Sequence, residues 1–347
     1  MNLYSLKETS EFEKLSSDDR KEYFTFIAKK CFTYWNIPKD AILELINYTE
    51  NATFKIEFGN EIRIIMRVHR CWYTNRESIL SEIAWLNDLK RESLQIPKPI
   101  KNIYGEYIIQ VDTIYGNRFV DCQQYENGKH VDFSEHFNFE KLGEIIATIH
   151  NNSVLYKKPK FYSRINWDFD RTFSHINNFH NENYKENLYL SLKQKKYINK
   201  AEKKIKCKLD NYGKNVNNYG IIHSDCRFAN ILENDDGYVL LDFDDCGDGW
   251  FMYDLASVFG FNEDNNYLEV AKTRLLEGYQ SIRPIQKCDI EMIDTFILMR
   301  QIGLIGTGMF FEKYAICGKG EKKTNVYQWH SFYDTVAKEA LKYCSYE

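Results

Sequence analysis

Three polar side chains follow a short apolar run in the middle of the chain, at spacings that suit phosphoryl transfer. Ile221 and Ile222 lead into His223, Asp225 and Asn230. The Asp225 carboxylate could accept the proton of an attacking hydroxyl, and the Asn230 amide oxygen is a hard ligand suited to magnesium. His223 would hold the backbone of the loop. Phosphoryl transfer needs little more than such a carboxylate at the attacking hydroxyl, oxygen ligands for a metal, and a cation that binds the phosphates.

A second apolar run delivers another carboxylate to the same place. Residues 239–241 precede Asp242, and an Asn234-Asp-Asp-Gly237 turn comes before them. Short buried runs on either side of a turn predict a β-hairpin, so Asp242 can reach the metal that Asn230 would hold.

Each of these residues alone has an ordinary structural explanation. An Asp–Asn pair in a loop usually forms an Asx-type turn, and a histidine after an apolar run is usually a satisfied core residue. The Asp-Phe-Asp-Asp245 segment could simply end a strand. The joint arrangement is improbable by accident, and it favours a phosphotransferase.

The composition of the chain restricts its function. It has 347 residues, of which 44% are hydrophobic, so it can bury a large interior and should form two lobes. A net charge of −4 gives no positive field for nucleic acid, and no apolar run is long enough to span a membrane. The nine cysteines form no Cys-x-x-Cys pair, and residues 1–7 lack the apolar h-region that a signal peptide would have. We therefore expect a reduced, cytoplasmic protein.

The predicted secondary structure changes along the chain. A helix over 20–35 precedes three antiparallel strands at 41–46, 52–58 and 62–68, a helix over 76–89, and a hairpin at 102–104 and 107–111. Apart from the central hairpin, the remainder is mainly helical, with helices at 139–150, 187–209, 253–259, 265–279, 289–310 and 326–343. We expect an α+β chain in which residues 1–112 form a sheet-based lobe and residues 113–347 a helical one.

Three motifs also carry a resemblance to a known family. They are His223-Ser-Asp-Cys-Arg-Phe-Ala-Asn-Ile-Leu232, Leu241-Asp-Phe-Asp-Asp245 and Tyr253-Asp-Leu-Ala256. They resemble the aminoglycoside phosphotransferase/choline kinase superfamily, which are kinases of small molecules. Weaker similarity at 51–56, 64–70, 81–86, 142–150 and 163–168 extends the resemblance over most of residues 45–260. It implies a two-lobed, protein-kinase-like fold, with an antiparallel-sheet N-terminal lobe, one key helix and a mainly helical C-terminal lobe.

The resemblance implies roles residue by residue. Asp225 would be the catalytic base, and Asn230 and Asp242 the magnesium ligands. Arg67 stands where the family usually has a lysine on the third strand, and Glu82 where its partner glutamate lies on the following helix. The other implied positions are Asn51, Ala52 and Thr53 over the phosphates, Gln110, Val111 and Thr113 against the adenine, Asp244 and Arg227 behind the metal, and Asp254 as a brace of the catalytic loop.

Glu82 also stands out without the resemblance. It lies three residues after Ile79 and four before Leu86, on the apolar stripe of the helix predicted over 76–89. An unpaired buried carboxylate is strongly destabilising, so a cation should meet it, and Arg67 is well placed to do so. The alternative is that Glu82 lies at the edge of the stripe and is solvated.

These inferences lead to one main hypothesis and two alternatives. The main hypothesis is an enzyme that uses Mg²⁺ to move the γ-phosphate of ATP or GTP to a hydroxyl of a small molecule, which the sequence does not identify. The alternatives are a protein serine/threonine kinase of the bacterial stress-response type and a non-catalytic nucleotide-binding module. Only about ten residues separate Asp242 from Tyr253, too few for a long activation segment. The presence of Asp225, Asn230 and Asp242 together disfavours the non-catalytic module.

Overall fold

The structure, a computed structural model, describes residues 11–345 except 13, 49–50, 71–73, 174–186, 261, 263–264 and 315–323. Within these ranges an antiparallel sheet with its helices comes first in the chain, and a mainly helical part follows. The predicted α+β, protein-kinase-like two-lobed class is confirmed. No helix in the described ranges is long and apolar enough to cross a membrane.

Six strands form the first sheet. In the second strand Phe54 and Ile56 are buried while Lys55 and Glu57 are half-buried, which is the period of two that a strand with one packed face requires. The strand order is β1-β2-β3-β6-β4, β5 also pairs with β6, and every pairing is antiparallel. The strands are β1 (Ile42–Tyr48), β2 (Asn51–Phe58), β3 (Ile62–His69), β4 (Pro99–Ile100), β5 (Ile108–Val111) and β6 (Arg118–Gln124).

Two helices accompany this sheet. Helix α1 (Ser17–Lys30) begins where the Ser16 hydroxyl accepts a hydrogen bond from an amide of the first turn. The helix predicted to run to residue 35 ends at Lys30 and is followed by a short 3₁₀ helix (Phe32–Trp35). Helix α2 (Arg76–Leu89), capped by Asn75, has the predicted bounds.

The hairpin predicted at 102–104 and 107–111 is wrong. The Asn102 side chain accepts hydrogen bonds from the amides of Tyr104 and Glu106 at 2.9 and 3.0 Å, so this segment is a tight turn. Strand β5 pairs instead with β6, a strand that the sequence did not indicate because polar residues interrupt its apolar pattern. Since β6 lies between β3 and β4 in the first sheet, we propose that the boundary between the two lobes follows Gln124 rather than residue 112.

The rest of the chain combines helices with two small sheets. Its helices are α3 (Phe139–Leu155), α4 (Phe169–Phe173), α5 (Leu192–Tyr212), α6 (Phe251–Ser257), α7 (Leu268–Ile282), α8 (Lys287–Ile290), α9 (Ile293–Tyr314) and α10 (Thr324–Ser345). One sheet has the order β11-β10-β7, and the other β8-β12-β9. The strands are β7 (Lys129–His130), β8 (Ile165–Trp167), β9 (Tyr219–Ile222), β10 (Ile231–Asn234), β11 (Gly237–Leu240) and β12 (Gly247–Trp250). The predicted central turn joins β10 to β11, but the Ile221–Ile222 run belongs to β9, in the other sheet.

A buried ion cluster joins the first sheet to helix α2. Arg67 of β3 donates from Nη1 to Glu82 Oε1 of α2 at 2.8 Å, so the predicted pair is confirmed. The same guanidinium also forms two parallel bonds to Asp121 of β6, at 3.0 and 2.9 Å. His69 Nε2 lies 2.8 Å from Asp121 Oδ1. The two carboxylates are fully buried, and the cluster fixes the position of α2 against two strands.

Helices α3 and α7 cross at backbone contact. A Cβ atom on Gly278 would lie 1.9 Å from the carbonyl oxygen of Glu140, and one on Gly143 would lie 2.2 Å from that of Leu275. Only glycine permits this approach, so the two helices form a close-packed pair in the core of the helical part.

Substitution of Asp121 by Asn should remove a pH-dependent part of the stability. Burial opposes the ionisation of Asp121, but Arg67 and His69 hold its pKa at about 2, below the ordinary value of 3.8. Because the folded-state pKa is the lower one, the carboxylate stabilises the fold above pH 3.8, by about 2 kcal/mol, and this contribution is lost as the pH falls toward 2. Urea denaturation should show a wild-type advantage over Asp121→Asn that shrinks below pH 4. An advantage that stayed constant down to pH 2 would contradict this assignment.

Gly278→Ala should destabilise the fold by about 1–3 kcal/mol or more, because backbone atoms of the neighbouring helix cannot rotate away from the new methyl group. Thermal denaturation measures the loss. Gly260→Ala is the matched control, since the nearest atom to its Cβ is 3.4 Å away. Equal midpoints for the two variants would show that the helix contact is looser than described.

Candidate active site

A cavity of about 860 Å³ lies between the first sheet and the helical part. Arg67 and Thr53 line it from the sheet, and Asp225, Asn230 and Asp242 line it from the opposite side. The structure therefore brings together the residues in which the sequence indicated phosphoryl-transfer chemistry, although almost 160 residues separate Arg67 from Asp225 along the chain.

The loop over 223–230 is held by a buried carboxylate. Strand β9 ends at Ile222, and Asp254 of helix α6 then accepts hydrogen bonds from the amides of His223 and Ser224, at 2.8 and 2.5 Å. His150 Nε2 lies 3.0 Å from the same carboxylate. Ser224 has a φ of 73°, a left-handed conformation that costs a non-glycine residue about 1–2 kcal/mol. Asp254 thus makes the bracing contacts that the sequence suggested.

His223 joins the two loops of the site. Its Nδ1 accepts from the amide of Asp225 at 3.2 Å, and its Nε2 donates to the carbonyl of Leu241 at 2.9 Å. These two bonds select the tautomer with the proton on Nε2. The ring is fully buried, so His223 positions the backbone before Asp225 and Asp242 and does not reach the cavity.

The Asp225 carboxylate is surrounded by donors. Its Oδ2 accepts from Arg227 Nε at 2.9 Å and from Asn230 Nδ2 at 2.7 Å, and its Oδ1 accepts from Arg300 Nη2. Burial opposes its ionisation, but the charges of Arg227 and Arg300 prevail and hold the pKa of Asp225 well below its ordinary value. Asp225 is therefore a charged acceptor that can orient a hydroxyl group.

Asn230 and Asp242 are two residues of the cavity wall whose side-chain oxygens could hold a metal. The Asn230 amide nitrogen donates to the carbonyl oxygen of Asp225 at 2.9 Å and to its carboxylate at 2.7 Å. Among the described residues this leaves the amide oxygen available to a metal. The amide of Leu241 bonds to the carbonyl of Asn230 at 2.8 Å and holds Asp242 beside it. The described residues contain no cluster of three or more His, Cys, Asp or Glu side chains that could bind a metal. Two oxygen ligands fit magnesium, which usually completes its shell with substrate phosphates and water.

Further carboxyl groups lie close to Asn230 and Asp242. Asp244 is buried and lines the cavity, and Arg67 Nη1 lies 3.9 Å from its Oδ1. Burial and the nearby Glu82 raise the pKa of Asp244 well above its ordinary value, and Asp242 and Asp245 contribute to this increase. Such an excess of carboxylates suits a site that receives a cation.

The part of the cavity next to the sheet differs from the sequence expectation. Asn51 and Thr53 line it, but Ala52 is packed in the sheet, and Gln110, Val111 and Thr113 do not line it at all. These last three lie in or beside β5, where the Thr113 hydroxyl donates to the Gly116 carbonyl at 2.6 Å. Strand β6, which the sequence did not indicate, follows these residues in the first sheet, and we propose that the lobes connect after it. The residues that line the cavity here are Gln123, Gln124, Tyr125 and Glu126.

Sequence reasoning also missed three charged residues of the site. Asp121 holds Arg67, and Lys55 of β2 lines the cavity, with its amine 2.7 Å from Glu57 and 5.3 Å from the centre of the Tyr125 ring. Arg300 of α9 contacts Asp225. Asp121 and Arg300 each interrupt an apolar run, which is the signal that identified Glu82. Lys55 alternates with buried residues and gave no signal beyond that of an ordinary surface lysine.

Comparisons with known proteins agree with this geometry. A sequence model of the phosphotransferase enzyme family matches residues 43–285. Amicoumacin kinase of Bacillus subtilis (strain 168) is 23% identical over 287 residues, which are 78% of this chain and 81% of the relative.

Solved structures show the same similarity. A microcompartment-associated aminopropanol kinase superposes with a TM-score of 0.81 at 25% identity, covering 92% of this chain and 98% of that one. An amicoumacin kinase in complex with AMP-PNP, Ca²⁺ and Ami gives 0.73 at 16% identity, covering 93% and 96%. Because the family match includes both loops of the site, the chain belongs to the phosphotransferase enzyme family and is a kinase with an alcohol group as phosphate acceptor.

Proposed function

We propose that the protein transfers the γ-phosphate of ATP or GTP to a hydroxyl group of a small molecule, with Asp225 at the reacting hydroxyl. The observation that carries this proposal is the convergence of Asp225, Asn230 and Asp242 on one cavity that also reaches Arg67. The similarity to a kinase bound to AMP-PNP and Ca²⁺ supports a nucleoside triphosphate donor and a divalent metal.

The proposed reaction exchanges one phosphorus–oxygen bond for another. The bond from the γ-phosphorus to the β–γ bridging oxygen breaks, and the nucleoside diphosphate leaves with that oxygen. The acceptor oxygen bonds to the γ-phosphorus, and its proton goes to the Asp225 carboxylate. Because a carboxylate with a lowered pKa is a weak base, Asp225 mainly orients the hydroxyl and takes the proton late in the reaction.

Asn230 and Asp242 would hold the metal, which we propose is Mg²⁺. When bound, the metal neutralises charge on the phosphates. Asn230 has a second function, because its amide nitrogen fixes the Asp225 carboxylate at 2.7 Å. One side chain would thus hold the metal and also orient the carboxylate that meets the acceptor hydroxyl.

The nucleotide would lie against the sheet. Among the described residues Arg67 uses three of its five N–H groups on Glu82 and Asp121, so two remain for a phosphate oxygen. Lys55 is a second cation on the same wall, and the base would contact the segment over 123–126. Residues 123–126 would therefore make the contacts with the base that the sequence suggested for residues 110–113.

The acceptor would enter from the helical side. Trp167, Tyr253, Leu304 and Trp329 line that end of the cavity, together with Arg171. The Trp167 and Tyr253 rings stack with centroids 5.8 Å apart, which gives an apolar wall next to Asp225. A protein substrate is not favoured, because the segment after Asp242 forms a 3₁₀ helix (Phe243–Asp245) and then β12, which is paired on both sides.

Asp225→Asn should lower kcat by about 10²–10⁴-fold and change the nucleotide Kd by less than about threefold, because the amide keeps the shape but cannot accept the proton. Transfer of labelled phosphate to a panel of amino alcohols, antibiotics and proteins measures kcat, and titration of nucleotide with Mg²⁺ measures Kd. Asp248→Asn is the control, since Asp248 bonds to Lys158 at 2.5 Å and does not line the cavity. Turnover by Asp225→Asn equal to that of the control would refute the mechanism.

Asp242→Asn should raise the Mg²⁺ concentration that half-maximal nucleotide binding requires by at least about tenfold, because a neutral ligand replaces a charged one. A thermal-shift titration of Mg²⁺ at fixed nucleotide measures this concentration. Chelation of the metal by EDTA should abolish most of the nucleotide-induced shift in the wild type. An unchanged Mg²⁺ requirement in Asp242→Asn would remove Asp242 from the metal site.

A further inference from the structure

Arg300 of helix α9 reaches the catalytic loop from a part of the chain that the family match does not include. The match ends at residue 285, and α9 spans Ile293–Tyr314. Arg300 donates from Nη1 to the carbonyl of Ser224 at 2.7 Å and from Nη2 to Asp225 Oδ1. Its side chain lines the cavity and is only 9% exposed.

The surroundings of Arg300 show that these two contacts decide its position. On α9, Leu298, Met299 and Ile302 near it are apolar and buried. A guanidinium loses much of its hydration on such a helix, so the buried pair must regain that free energy through good geometry. The ring of Tyr253 supplies a further contact, with the guanidinium carbon 6.0 Å from its centroid.

The hydrogen bonds of Asp225 define where an acceptor can bind. A carboxylate offers about four lone-pair sites, two on each oxygen. Among the described residues, Arg227 and Asn230 donate to Oδ2, and Arg300 donates to Oδ1. Oδ2 therefore has both sites in use, and Oδ1 retains one for an incoming hydroxyl.

We propose that Arg300 is a positioning residue that fixes the Asp225 carboxylate, so that the acceptor hydroxyl meets the remaining lone pair of Oδ1. The role rests on the proposed function, in which Asp225 receives the acceptor proton. Arg300 acts on the loop backbone at Ser224 and on the side chain at Asp225 together, and it thereby sets the rotation of the carboxylate relative to the loop.

The two contacts of Arg300 need the planar fork of a guanidinium. A lysine at this position offers a single ammonium centre on a flexible stem, which can satisfy the Ser224 carbonyl or Asp225 Oδ1 but not both in the same geometry. Arg300→Lys should therefore be intermediate between the wild type and Arg300→Ala.

The test compares acceptor turnover with nucleotide binding. We expect Arg300→Ala to lower kcat for phosphate transfer by about 10–100-fold, Arg300→Lys to lower it less, and both to keep the nucleotide Kd within about threefold. Millimolar guanidinium ion should restore part of the kcat of Arg300→Ala. Arg283→Ala is the matched control, because Arg283 bonds to Asn151 and to the Asn217 carbonyl in the same lobe but does not line the cavity.

A crystal structure of Arg300→Ala gives a readout that does not need an active enzyme. We expect the Asp225 carboxylate to rotate away from its wild-type orientation, while Asn230 and Asp242 stay in place. An unrotated carboxylate, or a kcat equal to or above that of the wild type, would overturn the positioning role. Absence of phosphate transfer and of nucleotide binding in the wild type would instead count against the proposed function, and the carboxylate orientation would still decide the role of Arg300.

Discussion

The site depends on one buried carboxylate that does not line the cavity. The Asp254 carboxylate accepts hydrogen bonds from the amides of His223 and Ser224. It is fully buried, so water does not compete for these bonds. These bonds compensate for the left-handed conformation of Ser224, which directs Asp225 into the cavity. Because His223 then bonds to the carbonyl of Leu241, the placement of Asp242 also follows from the same support.

Arginine–carboxylate contacts determine the electrostatics of both walls of the cavity. On the sheet side Arg67 is shared by Glu82 and Asp121, and on the helical side Asp225 is shared by Arg227 and Arg300. In each case one charged group has more than one partner of opposite sign, so loss of a single partner still leaves an ion pair. The geometry of each wall is thus determined by forked hydrogen bonds rather than by apolar packing alone.

The sequence predicted the parts of the site that follow from local patterns. Spacing placed Asp225, Asn230 and Asp242 together, and the apolar stripe of α2 predicted that Glu82 needs a cation. Strand β6 was missed because its Asp121 and Gln123 are buried for reasons that lie in other elements, namely the Arg67 cluster and the cavity. Arg300 could not be assigned for the same reason, since its partner lies 75 residues away and no local pattern shows which buried charge will meet it.

Strand β12 has a consequence for how such an enzyme can be controlled in a cell. The chain that follows Asp242 forms a 3₁₀ helix and then enters β12, which pairs in parallel with β8 and antiparallel with β9. A Cβ atom on Gly247 would lie 2.3 Å from the carbonyl oxygen of Ile165, so this pairing leaves no room for the strand to shift. The segment between Asp242 and helix α6 is thus short and held in a sheet, so it does not offer the long loop that some kinases order or disorder by phosphorylation.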